Sequence, residues 1–238
     1  VARRDAQRDV DATGAGGADD SRAAALVQRL LSVGIDGRGP FDGAAEVARR
    51  ARAEHPTTES AVHAVVRRHT RLVAASGFAT GVGGLLTLPV ALPANVVGFY
   101  VLATRAVAAV AELRGYDTTR PEVRSAVLLT LVGADATDVL KSAGLPSLNI
   151  GGRLASLATR RWPPAVLMLV NKGVGFRLLA RLGTGGLVRI SSRAVPLVGG
   201  AVGAGADALM LRRIAKHAEH ALPPTAGAAG AEGTGELR

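Results

Sequence analysis

LVAASGFATGVGGLLTLPVALPANVVGFYVLAT, residues 72–104, runs for 33 positions without one charged side chain. Arg67, Arg68 and Arg71 precede it and Arg105 follows it. A helix that spans a bilayer needs about 20 apolar residues, so the length would hold one crossing. Pro89 and Pro93 punctuate the middle of the run, however, and Gly77, Gly81, Gly83 and Gly84 thin its first half. Divided there, each arm is too short to cross on its own. The pattern therefore predicts a glycine- and proline-interrupted apolar helical hairpin. Two settings satisfy it: a re-entrant hairpin with both basic ends on one side of a bilayer, or a hairpin buried in a soluble helical core.

A second apolar stretch, Ala194–Leu211, carries one charge, Asp207. After Pro196 its small residues recur every fourth position: Gly199 with Gly203, Gly200 with Ala204 and Ala208, Ala201 with Gly205. That spacing lines one helix face with atoms small enough for a second backbone to approach closely, in lipid or in a tight soluble bundle. Asp207 continues the Gly199–Gly203 stripe and so faces whatever packs there. A buried carboxylate is costly unless partnered. Either an arginine of the fold, with Arg105 and Arg177 as candidates, pairs with it, or it handles a ligand or a proton. Arg212, Arg213, Lys216 and His217 then give the helix a basic end that suits its dipole.

The rest of the body reads as helix. Ser21 is placed to cap a short helix with Leu26, Leu30 and Val33 on one face, and Asp42 to cap another reaching Arg52. Thr57 or Thr58 opens a third, with Val62, Val65, Val66, His69, Leu72 and Val73 in 3–4 spacing. Thr119, Pro121 and Glu122 form a capping-box pattern for a helix to about Ala143. Segments 148–161, 163–182 and 196–221 complete the set. No stretch alternates apolar and polar residues, so the class is all-α, a compact multi-helix bundle. Residues 1–20 and 223–238 lack apolar periodicity and are expected to be disordered tails around one domain, 21–222. No apolar segment precedes Ser21, so no secretory signal is expected.

Composition removes several functions. Hydrophobic residues make up 48% but aromatics only 3%, which denies the chain a base-stacking platform. There is no cysteine, which excludes disulfides, thiol catalysis and Cys-bound zinc. The net charge is +10, and because the two tails are acidic the body carries +13. A basic body favours anionic partners. The arginines, 26 against three lysines, are dispersed at helix ends, and no helix-turn-helix is evident, so specific nucleic-acid binding is not expected.

No residue set supports catalysis. His217 and His220 are one turn apart, as half a metal site would be, yet no further ligand lies near in sequence. His69 on its apolar stripe reads as a hydrogen-bonded core or boundary histidine. Asp135 and Asp138 share a helix face, with Lys141 as an ordinary partner for Asp138. The glycine clusters at 81–84 and 183–186 follow helices and lack the strand-loop-lysine context of a phosphate loop. No catalytic residue, metal or cofactor is expected, and the chain is read as a non-enzyme.

SGFATGVGGLLTLPVALP at 76–93, a helix closing on Gly115-Tyr116-Asp117, and AVPLVGGAVG at 194–203 before a last helix occur in an order that resembles the EcsC protein family. The likeness covers roughly residues 50–222. The Pro-x-x-Gly-Gly-x-x-Gly segment is also similar to the hydrophobic module attached to some bacterial GTPases. Asp207 departs from the resemblance, which leads one to expect an uncharged polar residue there. The resemblance implies a bacterial, glycine-rich, membrane-associated helical protein, cytoplasmic and peripheral to or re-entrant in the inner face of the cell membrane. It further implies an accessory role to a membrane transporter or export system. The partners expected are anionic membrane lipid or an apolar ligand, the latter in a soluble carrier. The site residues are then Gly77, Gly81, Gly83, Gly84, Pro89, Pro93, Pro196, Gly199 and Gly203 for packing or lipid contact, and Arg67, Arg68, Arg71, Arg105 and Asp207 for charge.

Overall fold

The structure, a computed structural model, describes residues 17–39, 41–82, 84–145, 150–188, 196–226 and 228. Among these it contains helices and no strand. Helix α1 covers residues 17–29 and continues as a π-helical turn, Leu30–Ile35. It is followed by α2 (Ala44–Glu54), α3 (Thr58–Val82), α4 (Gly84–Leu113) and α5 (Pro121–Val132). A 3₁₀ turn, Gly133–Asp135, leads into α6 (Ala136–Ser142). Then come α7 (Ile150–Thr159), α8 (Pro164–Val188) and α9 (Pro196–Ala221).

The apolar hairpin is present, but the prolines do not break it. Helix α3 ends at Val82 and α4 begins at Gly84, with Gly83 between them outside the described residues. Helix α4 then runs for 30 residues through both Pro89 and Pro93. A proline removes one main-chain hydrogen bond from a helix without obliging it to end. Between strong helix formers such as Leu and Ala, the backbone continues.

Two sets of contacts fix how the long helices lie. At one end Arg114, just past α4, bonds Glu59 at the start of α3 and the carbonyls of Glu219 and Leu222 at the end of α9. At the other, Ser76 of α3 bonds Asn95 of α4, and Gly77 meets Gly203 of α9. Both α4 and α9 therefore run antiparallel to α3. The C-terminal half of α4 and nearly all of α5 form the centre of the core, from Phe99, Tyr100 and Ala103 through Val107, Val110 and Leu113 to Leu128, Leu129 and Leu131. Asn95–Leu113, with mean hydropathy 1.7, is the one segment among the described residues long and apolar enough to cross a membrane, and 67% of it is buried inside the bundle.

Several helix starts differ from the capping expected. Ser21 lies inside α1 and bonds back to Gly17 O. Gly43 caps α2, while Asp42 is held by Arg50 at 2.8 Å. Arg120 precedes α5 with no side-chain cap, because Thr119 is taken by Asp117 and Glu122 is buried beside Arg120. Thr57 does cap α3, exchanging bonds with Ser60. The helix expected to reach Ala143 is divided at Gly133, whose φ of +59° stops α5. Residues 17–20 belong to α1, and Asp20 pairs with Lys172 at 2.9 Å.

Candidate functional site

The meeting of α3, α4 and α9 collects most of the residues singled out from sequence. Gly77 and Gly203 are both buried, and their lack of side chains lets the two backbones touch. Into this crossing project three polar groups. Ser76 Oγ donates to Asn95 Oδ1 at 3.1 Å, and Asn95 Nδ2 donates to Asp207 Oδ2 at 3.3 Å. Asn95 and Asp207 are both buried. The expected arginine partners are elsewhere: Arg177 lies 3.6 Å from Asp138, and Arg105 is turned to the other side of α4. An amide, read from no spacing because it lies 112 residues away, takes the place assigned to a guanidinium.

Arg105 is largely buried, and Glu112, two turns further on, accepts from Thr118 and not from it. Arg105 is 6% exposed, donates through Nη2 to Val33 O at 2.8 Å, and stands over the Phe41 ring at 5.3 Å. Burial lowers its pKa, with the Asp42 charge acting the other way.

Arg67, Arg68 and Arg71 are exposed on α3, as are Arg212 and Arg213 on α9. Arg67 lies ten residues before Gly77 and Arg213 ten residues after Gly203, so in this antiparallel pair the two clusters stand at one level. Beyond that level α3 and α9 carry no charge except Asp207. Leu72 and Phe78 on α3 and Val202 and Leu209 on α9 are exposed there, by 43% to 57%. The uncharged run is thus not uniform. In its last third Asn95, Phe99, Tyr100, Ala103 and Thr104 are buried, while Leu72 and Phe78 near its start stand partly in the open. Gly83 lies outside the described residues. Gly81, Gly84, Pro89, Pro93, Pro196 and Gly199 lie on helical backbone whose side-chain surroundings are likewise outside them.

His69 is a buried core histidine, its Nδ1 hydrogen-bonded to Val65 O at 2.9 Å. Its pKa is lowered from 6.5 to about 4, first by burial and then, against the Val65 bond, by Arg105 and Arg68. The folded protein binds this proton less readily than the unfolded chain, so its contribution to stability is whole above pH 6.5 and is lost as pH falls towards 4. Between pH 7 and pH 5 the loss should be about 2 kcal/mol. Denaturant unfolding of the wild type and of His69→Gln at both pH values checks this, the variant showing a correspondingly flatter profile. An equal slope in the two proteins would contradict it.

Asp135 is paired with Arg181 at 2.9 Å and Asp138 with Arg177, not with Lys141. Arg181 also donates to Leu131 O and Val132 O, closing the end of α5. Among the described residues no group of three His, Asp or Glu side chains could hold a metal ion. His217 Nε2 is buried without a hydrogen-bond partner, and burial followed by the His220 charge lowers its pKa. A groove of about 600 Å³ opens between α1 and α8, where Val27, Leu31, Leu167 and Met168 meet Trp162 and Lys172. Sequence reasoning missed Ser76, Asn95 and Arg114; a lone polar residue inside an apolar helix was the available signal for Asn95.

No curated relative and no solved structure matches the chain significantly. The family model of the EcsC protein family matches residues 48–222, which include α3, α4, the Gly77–Gly203 crossing and all of α9. This chain belongs to the EcsC protein family.

Proposed function

We propose that the protein binds peripherally to an anionic membrane surface through the end of the α3–α4–α9 bundle. The observation that carries this reading is the boundary on α3 and α9. Exposed Arg67, Arg68, Arg71, Arg212 and Arg213 stand at one level, and past them come exposed apolar side chains with no surface charge on either helix. Arginines at such a level meet lipid phosphates, while the apolar groups beyond enter the acyl boundary. Burial of Asn95–Leu113 within the bundle argues for contact at the surface and against a crossing. An accessory role to a membrane transporter or export system fits the same placement, at the cytoplasmic face where anionic lipid is concentrated.

Co-sedimentation with vesicles tests it. Vesicles with a third of phosphatidylglycerol should retain the protein, and pure phosphatidylcholine vesicles should retain much less. Raised salt should weaken the binding without abolishing it, because the apolar part is not screened. An arginine near an anionic surface contributes about 1 kcal/mol, so Arg67→Gln with Arg71→Gln should weaken binding on the order of 30-fold. Phe78→Ser should remove the salt-resistant fraction. Recovery of all the protein in the supernatant with anionic vesicles at low salt would end the proposal.

A further inference from the structure

On the face of α4 away from the Gly77–Gly203 crossing lies a second open groove, of about 520 Å³. Val97, Gly98, Val101 and Leu102 of α4 form one wall, and Val33 and Phe41 the other. Its polar side chains are those of Arg29, which is exposed, and Arg105, which is largely buried. Arg105 Nε is buried and has no hydrogen-bond partner. Among the described residues no carboxylate hydrogen-bonds this guanidinium. The nearby Asp42 is engaged by Arg50 through both of its oxygens, at 2.8 and 3.5 Å. A cation more than nine-tenths buried, holding one carbonyl and one aromatic face, lacks the oxyanion such a group ordinarily has.

Gly98 adds an independent observation. It sits in mid-helix, where glycine is roughly 1 kcal/mol less favourable than alanine, and a Cβ built there would meet nothing within 4 Å. Packing against protein does not account for the absent side chain, and its effect is to keep the groove floor open. A water's share of liquid volume is about 30 Å³ and a methylene is of similar size, so a ten-carbon chain of about 300 Å³ fits the groove.

We propose that this groove binds a free single-chain anionic amphiphile, its carboxylate on Arg105 and Arg29 and its chain along Val97, Gly98, Val101 and Leu102. Guanidinium and carboxylate suit each other in charge and in planar geometry, and the walls beyond the arginines are apolar throughout. The desolvated state of Arg105 agrees with this, since a bound oxyanion restores what burial removes. The proposal does not rest on membrane binding, because the ligand is a monomer in water and the groove lies apart from the α3–α9 arginines.

Calorimetric titration of the vesicle-free full chain with decanoate, below its micellar concentration, is the test, with decanol as the neutral control. Decanoate should bind one to one, and decanol at least tenfold more weakly. Arg105→Met keeps the apolar stem and should reduce decanoate to the level of decanol. Gly98→Leu should abolish both while the unfolding temperature is unchanged or raised, and vesicle binding should persist in it. Absence of decanoate binding to the wild type, equal affinity for the two probes, or undiminished decanoate binding by either variant would overturn the assignment.

Discussion

Replacing Gly77 by leucine should destabilise the protein by about 4 kcal/mol, a fall of roughly 10 °C in unfolding temperature for a chain of this size. At that position even a Cβ would fall on Asp207 Oδ2 and lie 3.1 Å from the main-chain carbon and oxygen of Gly203. The backbone of α9 cannot give way as a flexible side chain would. Two losses then add. The helices must separate, which undoes close contact along the α3–α9 pair, and Asp207 is pushed from Asn95, leaving two buried polar groups with a weakened bond. Gly205→Ala, on the same glycine-rich helix, is the matched control. A Cβ there meets nothing within 4 Å, so helix propensity alone acts and the change should stabilise by up to about 1 kcal/mol. Chemical denaturation of the two variants checks both signs at once. A Gly77→Leu protein as stable as the wild type would show that the crossing is not tight.

Arg114→Met should cost about 3 kcal/mol, and the larger part should come from carbonyls and not from the ion pair. The last carbonyls of a helix have no partner within it. Arg114 Nη1 supplies one for Glu219 O and, at 3.1 Å, for Leu222 O, while Nη2 holds Glu59 at 3.0 Å. The side chain of Glu59 is half exposed, so water replaces its partner at little cost, and Glu59→Gln alone should lose less than about 1 kcal/mol. Leu222 O is buried and Glu219 O half-buried, so water replaces their partner less readily, and a stranded buried carbonyl is worth about 1–3 kcal/mol. A double-mutant cycle on the two positions separates the contributions. A coupling as large as the whole Arg114→Met effect would assign the stability to the ion pair instead.

The order and extent of the helices were largely legible, because 3–4 spacing is a local signal. Pro196–Ala221 emerges with the bounds expected, and His69 is the buried, bonded histidine that its stripe implied. Capping was less legible: Ser21, Thr119 and Asp42 each had the right type, but nearby partners competed for their oxygens or placed them inside a helix. The hairpin was read correctly as a hairpin and wrongly divided, since Pro89 and Pro93 are strong local signals whose effect depends on what surrounds them. Asp207 illustrates what spacing cannot supply. Its stripe predicted burial, yet nothing in the chain marks which of the remote polar side chains will lie within 3.3 Å. The groove at Arg105 needed the fold too, because Arg29 and Phe41 come to α4 from segments more than fifty residues earlier.

Past α9 the chain does not simply leave the molecule. Thr225 N bonds Arg114 O at 2.9 Å, and Tyr116 Oη bonds Pro223 O at 2.8 Å. Thr225 fits against Gly115, whose φ of +86° and missing side chain leave it room. These clasps fasten the exit point to the pole opposite the paired glycines. A fluorescent reporter or an affinity handle joined after position 228 would consequently be carried on the far side of the particle, leaving the greasy pole unobstructed for whatever it touches.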